Sequence, residues 1–409
     1  MAIIKIGNPA IDLDAAEIPN LSANKITSDT LADARIPANA LNSNIDLTNL
    51  SASNLTSGTV ADARLPANAL NSNVSVPNQS AFKNIIINGD MSIAQRATSV
   101  TGVTTSDGYY ACDRWYSQTD TGTWTISQST DVPTGQGFFN SFKMDCTSAG
   151  SSNADEVMIR SRHEGQNLQY LKYGTSNATS LTLSFWIKSN KTGNYYLAMA
   201  NANTTQDRVV SFGYTIDSAD TWEKKTITIP GDTSQSFDNT NGENLTLYWL
   251  FSAASGFTSG GVSNTWTNYA ANRFANSDLA GLGGSTSDYV NITGVQLEAG
   301  TTASDFEFLP VDVNTTRCLR YFQKTNYDFL GFGFATATSQ WLYHNVFYNT
   351  LMRATPTASS NSNAVSGTSN TFGLSPKTMV CNVYVQSSGS NSDIYIAGAG
   401  AILTFNSEL

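Results

Sequence analysis

Aromatic residues are missing from the first 81 positions of this 409-residue chain. All 19 Phe, 17 Tyr and 7 Trp residues lie at or beyond Phe82. Because aromatic side chains bury the largest areas and dominate core energetics, residues 1–81 cannot build a large hydrophobic core of their own. The chain is therefore divided into an aromatic-free N-terminal part and an aromatic-rich remainder.

Charged residues are also scarce, at 13% of the chain against about 25% in ordinary soluble proteins. The net charge is −10 and no cluster of Lys or Arg occurs, which argues against nucleic-acid partners and against anionic membrane surfaces. The opening stretch, MAIIKIGNPAIDLDAAEIPN, has the pattern of neither a signal peptide nor a membrane span. We expect no nucleic-acid partner and no membrane insertion.

Cysteine and histidine residues are too few and too far apart in the sequence to suggest a common metal site or a catalytic Ser-His-Asp triad. His163 and His344 are the only histidines, which argues against a Ser-His-Asp relay and a histidine-based metal site. The cysteines form no Cys-x-x-Cys pair, so buried free thiols are expected, with a Cys112–Cys146 disulfide as the alternative. The four cysteines are Cys112, Cys146, Cys318 and Cys381.

Carboxylates remain as candidate catalytic groups, since a glycosidase needs only two of them about 5–10 Å apart. Neighbouring acids on turns are more often solvated surface, and none of these groups has the spacing of an EF-hand loop. We therefore expect no enzyme, no catalytic residue and no cofactor, with a structural Ca²⁺ as the open alternative. The candidate groups are Asp155 with Glu156, Asp217 with Asp220, and Glu298 with Asp305 and Glu307.

The N-terminal part carries one segment twice. ITSDTLADARIPANALNSNI from Ile26 returns 29 residues later as LTSGTVADARLPANALNSNV from Leu55, with 15 of 20 positions identical. Four of the five changes exchange one aliphatic residue for another, which preserves the packing character of those positions. Each copy is therefore one structural unit.

Two such copies fall short of the roughly three that a solenoid needs to bury a continuous core. Pro37 and Pro66 disfavour helix at the residues before them, and no heptad pattern occurs, which argues against a coiled coil. We predict a repeat stalk over residues 22–81 in which several copies of the chain intertwine, preceded by an anchoring segment at residues 1–21. A disordered linker rich in Ser, Asn and Ala is the alternative.

Short alternating segments separated by Gly, Asn, Asp and Ser follow Phe82 and are typical of antiparallel strands. In the clearest strand, 181–188, Leu181, Leu183, Phe185 and Ile187 share one face, so Trp186 points away from the core. We predict a jelly-roll β-sandwich over residues 82–310 and a small C-terminal β domain over residues 311–409. Other predicted strands are 195–200, 208–216, 224–229, 245–251, 289–297, 329–334, 341–348, 379–385 and 393–396.

Aromatic residues outside the predicted core are candidates for stacking against sugar rings. Trp266 and Tyr269 lie in a long loop, 252–288, and long ordered loops are often functional; anchoring of the loop is the alternative role for its rings. Trp341 and Tyr343 lie in the C-terminal β domain. The glycan-contact candidates are Trp186, Trp266, Tyr269, Trp341 and Tyr343.

Several longer motifs resemble a known family. FKNIIINGDMSIAQRATS from Phe82 and ACDRWY from Ala111 look like the opening of a jelly-roll module found in many bacteriophage tail-fibre proteins, and the stalk repeat resembles repeats of phage fibres. Met91, Ala94 and Ala97 depart from the aromatic residue, Trp and Gly that are common in relatives. Further matching stretches are LTLSFWIKSNKTGNYY from Leu181, DTWEKKTITIPGD from Asp220, GVQLEAGTTASDFEF from Gly294, RCLRYFQK from Arg317 and LMRATPT from Leu351.

The resemblance covers residues 82 to about 357 and implies a homotrimeric virion tail fibre assembled in the bacterial cytoplasm. Its N-terminus would dock on other tail or virion proteins, and its C-terminal β domain would bind host cell-surface polysaccharide. The module is often likened to carbohydrate-binding modules, and the resemblance brings no catalytic residues. The alternatives are a head-decoration or adaptor fibre without a receptor role, and a polysaccharide depolymerase, which usually has a long β-helix.

Overall fold

The computed structural model of the chain describes residues 82–105, 107–151, 153, 155–201, 207–361, 365–366, 371–387 and 392–409. These residues belong to a compact unit that spans Pro77–Leu409. The predicted anchoring segment (1–21) and repeat stalk (22–81) lie outside the described residues. The boundary at residue 310 and the homotrimer stay predictions.

A β-sandwich occupies residues 99–299 and confirms the all-β prediction. One sheet has the order β1-β4-β5-β13-β7-β10, the other β12-β9-β8-β11-β6-β3-β2, and every strand pair is antiparallel. The strands are β1 (Ser99–Val103), β2 (Gly108–Tyr109), β3 (Tyr116–Thr119), β4 (Thr123–Ser129), β5 (Ser141–Ser148), β6 (Val157–Glu164), β7 (Leu181–Ser189), β8 (Gly193–Asn201), β9 (Arg208–Ile216), β10 (Glu223–Ile229), β11 (Glu243–Ser252), β12 (Thr267–Asn268) and β13 (Tyr289–Ala299).

The strand alternation predicts the core correctly. Leu181, Leu183, Phe185 and Ile187 of β7 are fully buried, facing a core that both sheets share. All six strands predicted between residues 181 and 297 form within two residues of the expected bounds. Apolar residues with period two therefore specify which face of each strand enters the core.

The opening motif lies outside the regular strands except for Ser99, the first residue of β1, but it contacts the sandwich through Asn88. This residue has a left-handed backbone (φ 59°), and its side-chain amide donates to the backbone oxygens of Ile93 and Asp113, both at 2.9 Å. Its own backbone oxygen accepts a hydrogen bond from the Trp115 indole nitrogen at 2.9 Å. The two motifs 82–99 and 111–116 are thus one hydrogen-bonded hub.

A one-turn helix, α1 (Ser255–Thr258), lies in the loop after β11. A longer helix, α2 (Val311–Leu319), follows the sandwich and was not predicted. Its mixed sequence, VDVNTTRCL, has little amphipathic pattern, so periodicity gave no signal. Its Asn314 amide donates to Asp90 and Ser92 of the opening motif, at 3.1 and 3.0 Å. These contacts hold the helix against the sandwich. The described residues contain no helix long and apolar enough to cross a membrane.

The C-terminal strands form two small sheets that enclose a second core. One sheet has the order β14-β20-β16, with β17 also paired to β20, and the other β15-β19-β18. Cys381, Val383 and Val385 of β19 are buried in this core with Leu403 and Phe405 of β20. The strands are β14 (Phe322–Ala335), β15 (Trp341–Phe347), β16 (Thr357–Ser360), β17 (Val365–Ser366), β18 (Thr371–Pro376), β19 (Val380–Gln386) and β20 (Ser392–Asn406).

The residues after β20 return to the sandwich. The Glu408 carboxylate pairs with the guanidinium groups of Arg114 and, at 3.2 Å, Arg96. Arg114 is buried and its guanidinium lies 3.6 Å from the centre of the Tyr321 ring. Burial lowers the pKa of Arg114, but the Glu408 carboxylate, together with the nearby Tyr321, Tyr109 and Cys318 side chains, raises it above its usual value. Sandwich and C-terminal strands therefore share one buried ion pair.

All four cysteines are buried and unbridged. Burial raises the pKa of each thiol, which keeps the groups protonated at neutral pH. The predicted free thiols are therefore confirmed, and Cys112 and Cys146 form no disulfide.

Candidate functional site

Trp186, the first predicted contact residue, lies on the outer face of β7 and is half-buried. It lines a cavity of about 240 Å³ together with Phe306 and Phe308. Lys224 and Asp305 line the same cavity. The cavity is smaller than the 300–1,000 Å³ that is usual for ligand sites.

Trp266 and Tyr269 share a loop but have different surroundings. The Trp266 indole nitrogen donates to the backbone oxygen of Pro230 at 2.6 Å, and its ring meets Tyr173 edge-on at 5.9 Å. Tyr269 is more exposed and meets the buried ring of Phe274 edge-on at 5.7 Å. These contacts fit loop anchoring, and the structure does not bring the two rings into contact.

Trp341 and Tyr343, in contrast, stand together on the outer face of β15. Their ring centres are 6.1 Å apart, with an angle of 29° between the planes, and the residues are 44% and 61% exposed. Tyr384 of the neighbouring strand β19 completes the group, at 5.3 Å from Trp341 and 6.0 Å from Tyr343. We call Trp341, Tyr343 and Tyr384 the ring platform.

Strand pairing explains why these three rings meet. Residues 341 and 343 are two apart on one strand, so their side chains leave the same face of the sheet. Tyr343 is directly opposite Tyr384 in the register of β15 and β19. The inward partners, including Val383 and Val385, are buried and hold both strands in this register.

Gly373 on β18 gives the Tyr384 ring its position. It lies directly opposite Tyr384, and a Cβ atom built there would be only 2.3 Å from two atoms of the Tyr384 ring. The ring therefore occupies the space above the glycine backbone, an arrangement that also protects the exposed strand. Any other residue at this position would displace the ring.

The surroundings of the ring platform are polar but uncharged. Asn345, Asn382 and Gln386 lie on the same sheet face, and the described residues offer their side-chain amides no hydrogen-bond partner. Ser375, Phe347 and Val380 also lie on this face. The site thus presents flat apolar rings beside amide donors and acceptors, with no Asp, Glu, Lys or Arg on the described part of this face.

Sequence reasoning missed Tyr384 and Gly373. The alternation in VCNVYVQ does place Tyr384 outward on β19, opposite in direction to Cys381, Val383 and Val385. What the sequence could not supply is the pairing of β19 with β15, which are more than 30 residues apart in the chain. The platform therefore depends on a long-range register.

Two of the predicted carboxylates, Glu298 and Glu307, serve as hydrogen-bond acceptors. Glu298 accepts from the backbone nitrogen and hydroxyl of Ser304, at 2.8 and 2.7 Å. Glu307 accepts from the backbone nitrogens of Phe82 and Asn84, at 2.6 and 2.9 Å. Within the described ranges no group of three or more His, Cys, Asp or Glu residues could hold a metal ion.

Comparison with known proteins adds only distant structural matches. No protein-family model and no curated protein matches the chain. The active domain of tailspike protein 4 from bacteriophage CBA120 matches 54% of this chain and 22% of that one, with 13% identity and a TM-score of 0.30. The CBM22-2 xylan-binding domain from Paenibacillus barcinonensis matches over 46% of this chain and 91% of that domain, with 13% identity and a TM-score of 0.26.

A family 11 carbohydrate-binding module from Clostridium thermocellum, solved with a mixed-linked tetrasaccharide, matches 51% of this chain and 99% of the module. The identity is 14% and the TM-score 0.23. The chain thus spans about a fifth of the tailspike protein that it matches. Matches this distant carry no argument about the function of this chain.

Proposed function

We propose that this chain is a bacteriophage tail fibre that attaches to its host by binding a surface glycan on the ring platform. One observation carries the proposal: two exposed rings, Trp341 and Tyr343, and the half-buried ring of Tyr384 are in mutual contact on one sheet face, with three side-chain amides beside them. Large rings are usually buried, and contiguous exposed apolar groups rimmed by polar residues are characteristic of interaction sites.

A pyranose ring suits this surface physically. Its C–H face is apolar and stacks on an aromatic ring, while its hydroxyl groups require hydrogen-bond partners at the edges. Asn345, Asn382 and Gln386 can each donate and accept, which matches the dual character of a hydroxyl group. Since the platform face carries no charge among its described residues, a neutral sugar is the expected ligand.

The fibre role is supported by the sequence motifs from Phe82 to about residue 357 and by the repeats before them. In this proposal residues 1–21 dock on other tail or virion proteins, residues 22–81 form the trimeric stalk, and the protein resides in the virion. The chain acts by binding, without catalysis. The competing role is that of an adaptor or head-decoration fibre, which makes no contact with the host.

The test compares the full chain with the double variant Trp341→Ala/Tyr384→Ala in adsorption to host cells, using fluorescently labelled protein. We expect the apparent Kd to rise at least about tenfold, because truncating central aromatic contacts costs more than about 1 kcal/mol each. Phe139→Ala is the matched control, since Phe139 is 84% exposed on the sandwich and outside the platform. Unchanged adsorption of the double variant would favour the adaptor role.

A second variant leaves all three rings in place. Gly373→Ala forces the Tyr384 ring off the sheet, so we expect glycan-dependent adsorption to weaken as much as it does in Tyr384→Ala. In the Tyr384→Ala background the same substitution should have no further effect, because the clash is gone. Equal losses in both backgrounds would mean that Gly373 acts on something other than the ring.

A further inference from the structure

A separate cavity of about 400 Å³ lies where the opening motif, the sandwich and helix α2 meet. Its walls are residues 82–87, the end of β6 with the turn after it (163–170), and residues 317–321. The volume is within the usual range for small-molecule sites. The cavity shares no lining residue with the ring platform.

One end of the cavity carries a cation without a counter-charge. Arg317 lines the cavity, and no carboxylate of a described residue lies within ion-pair distance of its guanidinium. Its Nη2 donates to the backbone oxygen of Asn84 at 3.3 Å, whereas the buried Nη1 has no hydrogen-bond partner among the described residues. Burial lowers the pKa of Arg317, an effect that Cys318, Tyr321 and Glu307 together offset only in part.

The other ionisable groups of the lining are already neutral or paired. Arg320 makes two hydrogen bonds of 2.7 Å to the carboxylate of Glu164, so these two charges cancel. Burial lowers the pKa of His163 to about 3, which leaves this ring uncharged at neutral pH. The cavity lining therefore carries one net positive charge, located on Arg317.

The rest of the lining is suited to a flat ring. Phe82 and Tyr170 line the cavity and are 59% and 53% exposed, so both rings are accessible to a ligand. Ile85, Ile87 and Leu168 add apolar surface to the cavity lining. A ligand with an apolar face and one anionic group matches this arrangement.

We propose that this cavity binds a carboxylate carried on a six-membered ring, with the carboxylate at Arg317 and the ring against Tyr170 or Phe82. Arg recognises carboxylates through paired N–H donors, and a half-buried guanidinium such as that of Arg317 gains from an anion that replaces the water it has lost. Two sources share this chemistry: an acidic sugar residue such as a uronic acid, and a free aromatic acid. The acidic sugar would make this a second glycan site, which prefers an anionic sugar where the platform prefers a neutral one.

The test measures binding of sodium glucuronate, sodium benzoate and uncharged methyl glucoside to the full chain. Saturation-transfer NMR and calorimetry detect the binding. We expect glucuronate or benzoate to bind and methyl glucoside not to bind. Arg317→Gln should abolish binding, and Tyr170→Ala should weaken it severalfold. Because Arg317 also donates to the backbone of Asn84, the Arg317→Gln variant could lose binding through misfolding. Tyr170→Ala leaves Arg317 in place and therefore tests the cavity independently.

The same titrations distinguish the two possible ligand sources, and they also distinguish this cavity from the ring platform. Glucuronate binding identifies an acidic sugar and benzoate binding a free acid. Trp341→Ala should leave either signal unchanged, because Trp341 is outside this cavity. The proposal is overturned if neither acid binds, if methyl glucoside binds equally well, or if both cavity variants retain wild-type affinity. Failure here would leave the proposed platform function intact, because that function depends on neither Arg317 nor Tyr170.

Discussion

Replacing Glu408 by alanine is expected to lower the free energy of unfolding by about 3–5 kcal/mol. The side chains of Glu408 and Arg114 are only 5% and 3% exposed, so the pair is shielded from water. Removing the carboxylate leaves the guanidinium of Arg114 buried without any described carboxylate in ion-pair range, which is the costly case. Urea denaturation of the purified protein, monitored by Trp fluorescence, measures the change.

Asp145→Asn is the matched control for this experiment. Asp145 pairs with Lys143 at 2.9 Å, but the two side chains are 42% and 30% exposed. Exposed pairs contribute about 0–1 kcal/mol, so this variant should unfold at nearly the same urea concentration as the wild type. Similar small effects for both variants would show that Arg114 finds another partner or water.

The same ion pair affects how the C-terminal β domain can be studied. Truncation at residue 310 would remove the ring platform, but it would also remove Glu408 from Arg114 and Arg320 from Glu164. Lost adsorption in such a truncated protein could then come from a destabilised sandwich. Substitutions at the exposed rings avoid this problem, which is why the functional tests rely on them.

Trp115→Ala is expected to destabilise the protein by about 3–5 kcal/mol, the usual range for a large aromatic residue lost from a core. Trp115 is fully buried, its ring packs 5.6 Å from that of Trp249, and its indole nitrogen donates to the backbone oxygen of Asn88. The substitution therefore opens a cavity and also breaks the hub of the opening motif. Chemical denaturation measures the loss.

Trp341→Ala serves as the control, because Trp341 is 44% exposed and belongs to the ring platform. Its removal should cost less than about 1 kcal/mol of stability while weakening adsorption. The two variants thus distinguish a tryptophan that stabilises the core, Trp115, from one that is proposed to bind the ligand, Trp341. If Trp115→Ala were as mild as Trp341→Ala, the hub would not be important for stability.

The sandwich could be predicted from the sequence because its strands alternate with period two and end at turn residues. In β7 the apolar residues predicted the inward face correctly, and Trp186 does lie on the other side. Helix α2 was missed because VDVNTTRCL lacks a clear apolar stripe, and its position depends on contacts with Asp90 and Ser92 far away in the chain.

The candidate site was predicted only in part. Trp341 and Tyr343 follow from strand alternation alone, since they are two residues apart on one strand. Tyr384 and Gly373 belong to the site only through the pairing of β15, β19 and β18, which no local pattern encodes. Trp266 is of a residue type expected in a glycan site, and it lies in a long loop. Its hydrogen bond to Pro230 instead fits a role in anchoring that loop, which the sequence could not reveal.

The central claim is that the ring platform binds a neutral host glycan, and one measurement tests it most directly. Oligosaccharides prepared from the host surface polysaccharide are titrated into the full chain, with the Trp indole resonances observed by NMR and assigned by substitution. We expect the Trp341 indole signal to shift with saturation, while the Trp115 signal stays unchanged. Saturable binding that leaves Trp341 unaffected, or that persists in Trp341→Ala/Tyr384→Ala, would contradict the claim.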